Sequence, residues 1–196
     1  MTIAIGYRHY PQQTAISLLC LIMMLELIFS RAETADTEQL VTLINSAYRG
    51  ESSRQGWTTE ADLLDGRRTD SDEILSLLAD DDSMIVLCKA GEALVGSVHL
   101  QRTGEQVWIG MLAVSPRLQG GGIGKQLLQA AEQAACQAWP VSRFGMSVIA
   151  CREELIAFYQ RRGYRRTGAS KAFPVNPALW TPKVADLRLE LLEKIL

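Results

Sequence analysis

The residues best suited to do chemistry lie in one run, Ile109-Gly110-Met111-Leu112-Ala113-Val114-Ser115-Pro116-Arg117-Leu118-Gln119-Gly120-Gly121-Gly122-Ile123-Gly124-Lys125. Its first half has the apolar character of a buried strand and stops at Pro116; its second half enters a helix through a cluster of glycines. Glycine permits positive φ and leaves the backbone N–H groups unshielded, and the first turn of a helix carries partial positive charge. A strand-to-helix turn of this composition is therefore a cradle for phosphate, with Lys125 as a nearby cation. Two well-known phosphate patterns do not fit the spacing. A dinucleotide fingerprint begun at Gly120 or Gly122 needs glycine at position 125 or 127, where Lys125 and Leu127 stand. A P-loop needs glycine at position 119 and a hydroxyl residue at 126, and both are glutamine. The plainer reading is a loose turn with no ligand, and so many glycines at a helix start directly after an apolar strand count against it.

A second group of interest is Cys151-Arg152-Glu153-Glu154-Leu155-Ile156-Ala157-Phe158-Tyr159-Gln160-Arg161-Arg162-Gly163-Tyr164, a helical stretch closed by Gly163. A phenol there can protonate a leaving group; alternatively Tyr159 is an amphipathic-helix residue packed with Phe158 and Tyr164.

Together the two segments resemble the GNAT superfamily of N-acetyltransferases. Gln119-Gly120-Gly121-Gly122-Ile123-Gly124 is similar to that family's Q/R-x-x-G-x-G/A motif, Leu112 to Pro116 to the strand before it, and Phe158-Tyr159 with Gly163-Tyr164 to its helical F-Y-x-x-x-G-[FY]. The resemblance covers roughly residues 24–196. It implies acetyl-CoA as co-substrate and no metal. Its pyrophosphate would rest on the amides of Gln119, Gly120, Gly121, Gly122, Ile123, Gly124 and Lys125, principally those of Gly120, Gly122 and Gly124. The strand segment Leu112, Ala113 and Val114 would pair with the pantetheine arm, chiefly through Leu112 and Val114, and the Leu112 N–H would hold the thioester oxygen as it gains charge. Tyr159 would protonate the departing thiolate. Arg152 stands where many relatives carry asparagine, and is expected to bond a carbonyl or phosphate on the coenzyme side.

Relatives with a base on the fourth strand place glutamate near where this chain has Trp108, so no base is assigned; Glu51, His99 and Glu105 are candidates by residue type alone. The N-terminal helices, their loop and the last hairpin would wall the amine acceptor, a small molecule or a peptide. Trp57, in the polar stretch Gly50 to Glu60, is read as an acceptor-binding residue or a packing anchor. The cluster Arg161, Arg162, Arg165 and Arg166 is read as a solvated helix end. Cys151 has no histidine beside it in sequence, so direct transfer is preferred over a covalent acyl-enzyme. The competing readings are a coenzyme-binding regulatory module of the same fold and an interaction protein that docks through residues 1–23.

These groups must be positioned by ordinary elements. Leu25 to Arg31 reads as a strand. Asp36 with Gln39 resembles a capping box opening a helix with the apolar face Leu40, Leu43, Ile44, Ala47 and Tyr48, ending near Gly50. Thr59 with Asp62 is expected to open a second helical piece closed by Gly66, and Asp70 with Glu73 a third. Strands over 84–88, 93–100 and 107–114 form a meander, followed by a helix over 123–139, a strand over 144–151, a helix over 153–162 and strands over 166–175 and 187–192. The expected class is α/β, a single-domain, mixed, mostly antiparallel twisted sheet flanked by helices.

Composition sets the outer limits. At 196 residues and 47% hydrophobic, the chain suits one domain with a substantial core. A net charge of −2 supplies no basic field for a nucleic-acid backbone. The four cysteines are scattered without a C-x-x-C pair, which favours a reducing, cytoplasmic setting over a disulfide scaffold. Only His9 and His99 are available as imidazole ligands, which argues against a dedicated metal site. The apolar run from Ala15 to Leu25 is broken by Glu26 well short of the roughly 18 to 20 residues needed to span a bilayer, and no small-residue cleavage pattern follows it. Residues 1–23 are accordingly read as an extension and 24–196 as the domain. Association into a homodimer is left open.

Overall fold

The computed structural model describes residues 26–196, so the expected extension over residues 1–23 lies outside the described residues. In chain order the elements are β1 (Leu27–Arg31), α1 (Thr37–Tyr48), β2 (Leu64–Gly66), α2 (Ser71–Ala79), β3 (Ser83–Ala90), β4 (Ala93–Thr103), β5 (Gln106–Val114), α3 (Ile123–Ala138), β6 (Arg143–Ile149), α4 (Glu153–Gln160), β7 (Arg165–Ala172), β8 (Trp180–Pro182) and β9 (Arg188–Ile195). Single helical turns occupy Thr34–Asp36, Gly50–Ser53 and Pro116–Leu118. One sheet runs in the order β1-β3-β4-β5-β6-β9-β7, antiparallel at every pairing except β5 with β6. This is the mixed α/β class expected from sequence. No helix among the described residues is long and apolar enough to cross a membrane.

Each face of the sheet is covered because each helix presents one apolar stripe. Leu127, Leu128, Ala131 and Ala135 of α3 and Ile156 of α4 pack with Val98, Leu100, Val107 and Phe144 in the larger core. On the opposite face Leu40, Ile44 and Ala47 of α1 and Ile74 of α2 meet Ile85, Leu87, Met111 and Ala113. Each of the buried Leu, Ile, Val, Met and Phe side chains contributes about 1.5–3 kcal/mol of transfer free energy, the alanines less.

β5 serves both cores, and its alternation changes midway. Val107 and Ile109 face the larger core, whereas Met111 and Ala113, of the same parity, face the other. The switch is a β-bulge: the pairing with β4 steps from His99↔Gly110 to Ser97↔Ala113, and Met111 sits at φ 45°. One extra residue in one strand reverses which side chains point where.

Two local expectations need correction. The segment 59–66 is not helical; it is a run of turns ending in β2, which pairs with β8 over a hundred residues on, Leu64↔Pro182 to Gly66↔Trp180. Gly66, at φ +91°, lies so close to Leu179 that a Cβ would collide with its carbonyl oxygen. Asp36 does not cap α1 through its side chain but accepts the Glu33 N–H at 3.0 Å, fixing the turn before the helix. Asp70 does cap α2 as read, accepting the Glu73 N–H at 3.0 Å.

Candidate active site

The site opens where two parallel neighbours part. β5 and β6 pair from Gln106↔Arg143 to Ile109↔Met146 and no further, so Gly110 to Val114 have no β6 partner. The bulge also leaves Met111 and Leu112 without a registered partner on β4. A stretch of strand backbone is thus free on the side facing the opening. The Leu112 carbonyl is held at 3.0 Å by the hydroxyl of Tyr48 from α1.

Beyond β5 the chain turns at Pro116 and enters α3 through the glycines. Gly120 and Gly122 have φ of +87° and +86°, and no atom lies within 4 Å of where their Cβ atoms would be. Backbone conformation and not crowding selects glycine here, and the space beside it is open, as an anion seated on these amides requires. The Gly122 carbonyl accepts from the N–H groups of Lys125 (3.1 Å) and Gln126 (3.2 Å), while those of Ile123 and Gly124 begin the helix without an intrahelical acceptor.

A cleft of ≈ 200 Å³ lies against this turn, lined by Leu112, Val114, Gln119, Gly120, Gly122, Ile123, Gly124 and Lys125 on one side and by Leu155, Phe158, Tyr159 and Arg162 of the α4 region on the other. Most of the expected coenzyme-contacting residues are brought together here. Ala113 turns its side chain into the α1–α2 core, leaving only its backbone available, and Gly121 is exposed on the outside of the turn.

Gln119 points inward. Its Oε1 accepts from the backbone N–H groups of Trp57 (2.9 Å) and Thr58 (3.2 Å), and its Nε2 donates to Thr58 Oγ1 (2.8 Å) and the Val114 carbonyl (3.1 Å). The side chain therefore pins the 56–58 loop to the end of β5. That moves Trp57 from its expected place: it lines the glycine-bounded cleft, its ring 5.9 Å from that of Phe158, and not the acceptor side.

A second cleft of ≈ 450 Å³ lies on the far side of Tyr159 and is bounded by α1, the 60–73 segment, β4, β5, β6 and the 171–180 segment. The two clefts share Leu112, Leu155 and Tyr159. Arg152 belongs to this second cleft. Its guanidinium donates to Glu60 Oε1 (3.0 Å) and the Thr58 carbonyl (2.6 Å), so it is consumed by the chain itself and does not line the glycine-bounded cleft where it was expected. Arg49 binds Oε2 of the same carboxylate, giving a buried Arg–Glu–Arg group. Arg49 and Glu60 give no sequence signal for this pairing, which crosses the irregular 49–60 loop.

Burial shapes the acid–base character of the junction. It pushes the Tyr159 hydroxyl well above the usual phenol range, so Tyr159 keeps its proton, and its O–H makes no hydrogen bond among the described residues. Burial raises Tyr48 as well, with the Glu60 carboxylate adding to the effect. His99 lines the second cleft with Nε2 at 3.0 Å from Ser83 Oγ; burial, with the Arg68 charge, lowers its pKa to about 4. Of the other base candidates, Glu51 is exposed and paired with Arg54, and Glu105 sits at the exposed β4–β5 turn. Among the described residues no cluster of His, Cys, Asp and Glu is suited to hold a metal ion.

No curated protein matches this chain in sequence. Solved structures share its fold. An acetyltransferase of the GNAT family from Streptococcus pneumoniae superposes with TM-score 0.63 at 18% identity, over 87% of this chain and 100% of that one. The ribosomal-protein-S18-alanine N-acetyltransferase of Escherichia coli does so with TM-score 0.65 at 12% identity, over 87% and 94%. The PaiA N-acetyltransferase of Thermoplasma acidophilum, solved in complex with coenzyme A, gives TM-score 0.61 at 16% identity, over 87% and 99%. The sequence profile described as "Acetyltransferase (GNAT) family" matches residues 38–164, which hold the parted strands, the glycine turn and the Tyr159 helix, and the chain belongs to that family.

Proposed function

We propose that the protein moves the acetyl group of acetyl-CoA directly onto an amine, with residues 24–196 as the catalytic unit. The observation that carries this reading is the meeting of two clefts at Leu112 and Tyr159, one bounded by the open glycine turn at the start of α3 and the other by polar and apolar side chains. Acetyl-CoA supplies a thioester, whose carbonyl an uncharged amine can attack.

The chain's own groups do the rest. The backbone amides from Gly120 to Gly124, at the positive end of α3, receive the pyrophosphate; those of Gln119 and Lys125 already donate to the Pro116 and Gly122 carbonyls. The backbone from Leu112 to Val114, on the side where β6 has parted from it, lines the pantetheine arm, and the Leu112 N–H holds the carbonyl oxygen as negative charge develops on it; Tyr48, bonded to the Leu112 carbonyl, fixes the next peptide along. Tyr159, kept protonated by burial, donates to the departing sulfur. The balance is simple: a C–N bond forms, the C–S bond breaks, one of the ammonium's protons ends on sulfur and another goes to solvent.

Calorimetric titration of acetyl-CoA into the protein and its Gly122→Glu variant tests the reading. Micromolar binding that the variant loses supports it. Absence of binding by folded wild-type protein would make the glycines a structural turn and remove the proposal.

A further inference from the structure

Taking acetyl transfer as the reaction, we infer that the acceptor is a zwitterionic amino acid with an apolar side chain, its carboxylate received by Arg68 and its amino group by Glu73. Of the charges lining the second cleft the chain leaves three without a partner, the exposed Lys171 and two half-buried ones of opposite sign, Arg68 and Glu73. Arg49 and Arg152 are already spoken for, one on each oxygen of Glu60. Arg68 is not. Its backbone N–H is fixed by Asn45 Oδ1 at 2.6 Å and its guanidinium lies 5.8 Å from the centre of the Tyr48 ring, but that guanidinium makes no ion pair or hydrogen bond among the described residues. Glu73 presents the opposite case. Its backbone N–H caps against Asp70, whereas its Oε2 is removed from solvent and has no hydrogen-bond partner.

A carboxylate oxygen buried without a donor costs free energy until a ligand supplies one. A guanidinium offers a planar fork that carboxylates fill in a bidentate way. Arg68 and Glu73 do not neutralise each other, and both face the same cleft. Their natural complement is one molecule carrying an anion and an amine together.

The surrounding charges and surfaces point the same way. Arg49, Arg68, Arg152 and Lys171 face the cleft against Glu60 and Glu73 alone, so a polycationic amine enters against a positive field, while a zwitterion adds no net charge. Trp108, Met146, Phe173 and Leu189 give an apolar wall for a side chain. The volume of ≈ 450 Å³ is in the range of small-molecule sites.

The experiment measures free-thiol release at saturating acetyl-CoA with leucine, methionine and phenylalanine, their carboxamides, their decarboxylated amines, and spermidine. The amino acids are expected to show kcat/KM values about 10-fold or more above the decarboxylated amines, and Arg68→Gln to remove about 10- to 100-fold from the amino acids alone. Arg68→Lys, which keeps the charge without the fork, should fall between. Glu73→Gln should raise KM for every amine while leaving acetyl-CoA binding intact. The inference is overturned by a preference for decarboxylated amines or spermidine, by an Arg68→Gln effect equal across all amines, or by no turnover of any of them while acetyl-CoA still binds in the calorimeter. Failure of wild-type protein to bind acetyl-CoA would instead remove the transferase reading, and this inference with it.

Discussion

Replacing Gln119 with alanine removes four hydrogen bonds at once, to Trp57 N, Thr58 N, Thr58 Oγ1 and the Val114 carbonyl. Each is worth about 0.5–1.5 kcal/mol net, and water can replace Gln119 at the more exposed Trp57 N–H, so the expected loss is about 2–4 kcal/mol. Gly56→Ala reaches the same interaction from the other side. A Cβ there would collide with Gln119 Oε1 and stand 2.6 Å from Cδ and 2.8 Å from Nε2, so the glutamine must swing out and give up its bonds. Gly56 does not have positive φ, so alanine meets no backbone penalty that would confuse the result. Once Gln119 is alanine, the atoms that a Cβ at position 56 would strike are gone. The double variant should therefore fall within about 0.5 kcal/mol of Gln119→Ala alone, a strongly non-additive cycle. Urea unfolding followed by circular dichroism reads these losses, and thermal midpoints should drop by about 2–4 °C per kcal/mol for a chain of this size. Additive losses, or a Gln119→Ala cost below about 1 kcal/mol, would refute the idea that this side chain clamps the 56–58 loop to β5.

Tyr159→Phe should lower turnover by about a hundredfold while leaving the dissociation constant for acetyl-CoA nearly unchanged; unchanged turnover with chemistry shown to be rate-limiting removes its proton-donating role. Because the His99 pKa falls from 6.5 unfolded to about 4 folded, the unfolded chain binds more protons between those values, so stability is complete above pH 6.5 and declines as pH falls toward 4. That decline is on the order of 2–3 kcal/mol, and unfolding measured across this range should show a shallower dependence for His99→Gln. Glu60→Gln leaves Arg49 and Arg152 buried together without a counter-charge, and the urea midpoint should report a loss of about 3 kcal/mol at unchanged m-value; a loss under about 1 kcal/mol would mean that solvent screens the group.

Whatever depends on nearest neighbours along the chain is legible in the sequence. The glycine turn could be read because positive φ and an uncovered helix start are local demands, met by Gly120 and Gly122 themselves. The order of the main-sheet strands and of the helices α1 to α4 follows from apolar periodicity, and the Asp70 cap from a three-residue spacing. Segment 59–66 departs from its helical expectation because its apolar pattern is weak and β2 exists only through its pairing with β8. The bulge at Met111 was hidden because an uninterrupted apolar run such as 107–114 does not say which residue breaks the alternation; the competing demands of two cores decide that.

Side-chain destinations were the other thing that sequence withheld. Gln119 belongs to a recognisable motif, yet what its amide holds is a loop 62 residues earlier. Arg152 was placed on the coenzyme side by its position in a helix start, but the carboxylate that captures it lies 92 residues away. Arg68 and Glu73 gave no signal at all, since an unmatched charge becomes visible only when every potential partner has a position. The glycine turn, the order of the main-sheet strands with their flanking helices, and the tyrosine-bearing helix are written in the sequence, because short-range sterics and periodicity specify them. Which charges find a partner within the chain and which do not is settled by the folded arrangement, because pairing is governed by distance in space.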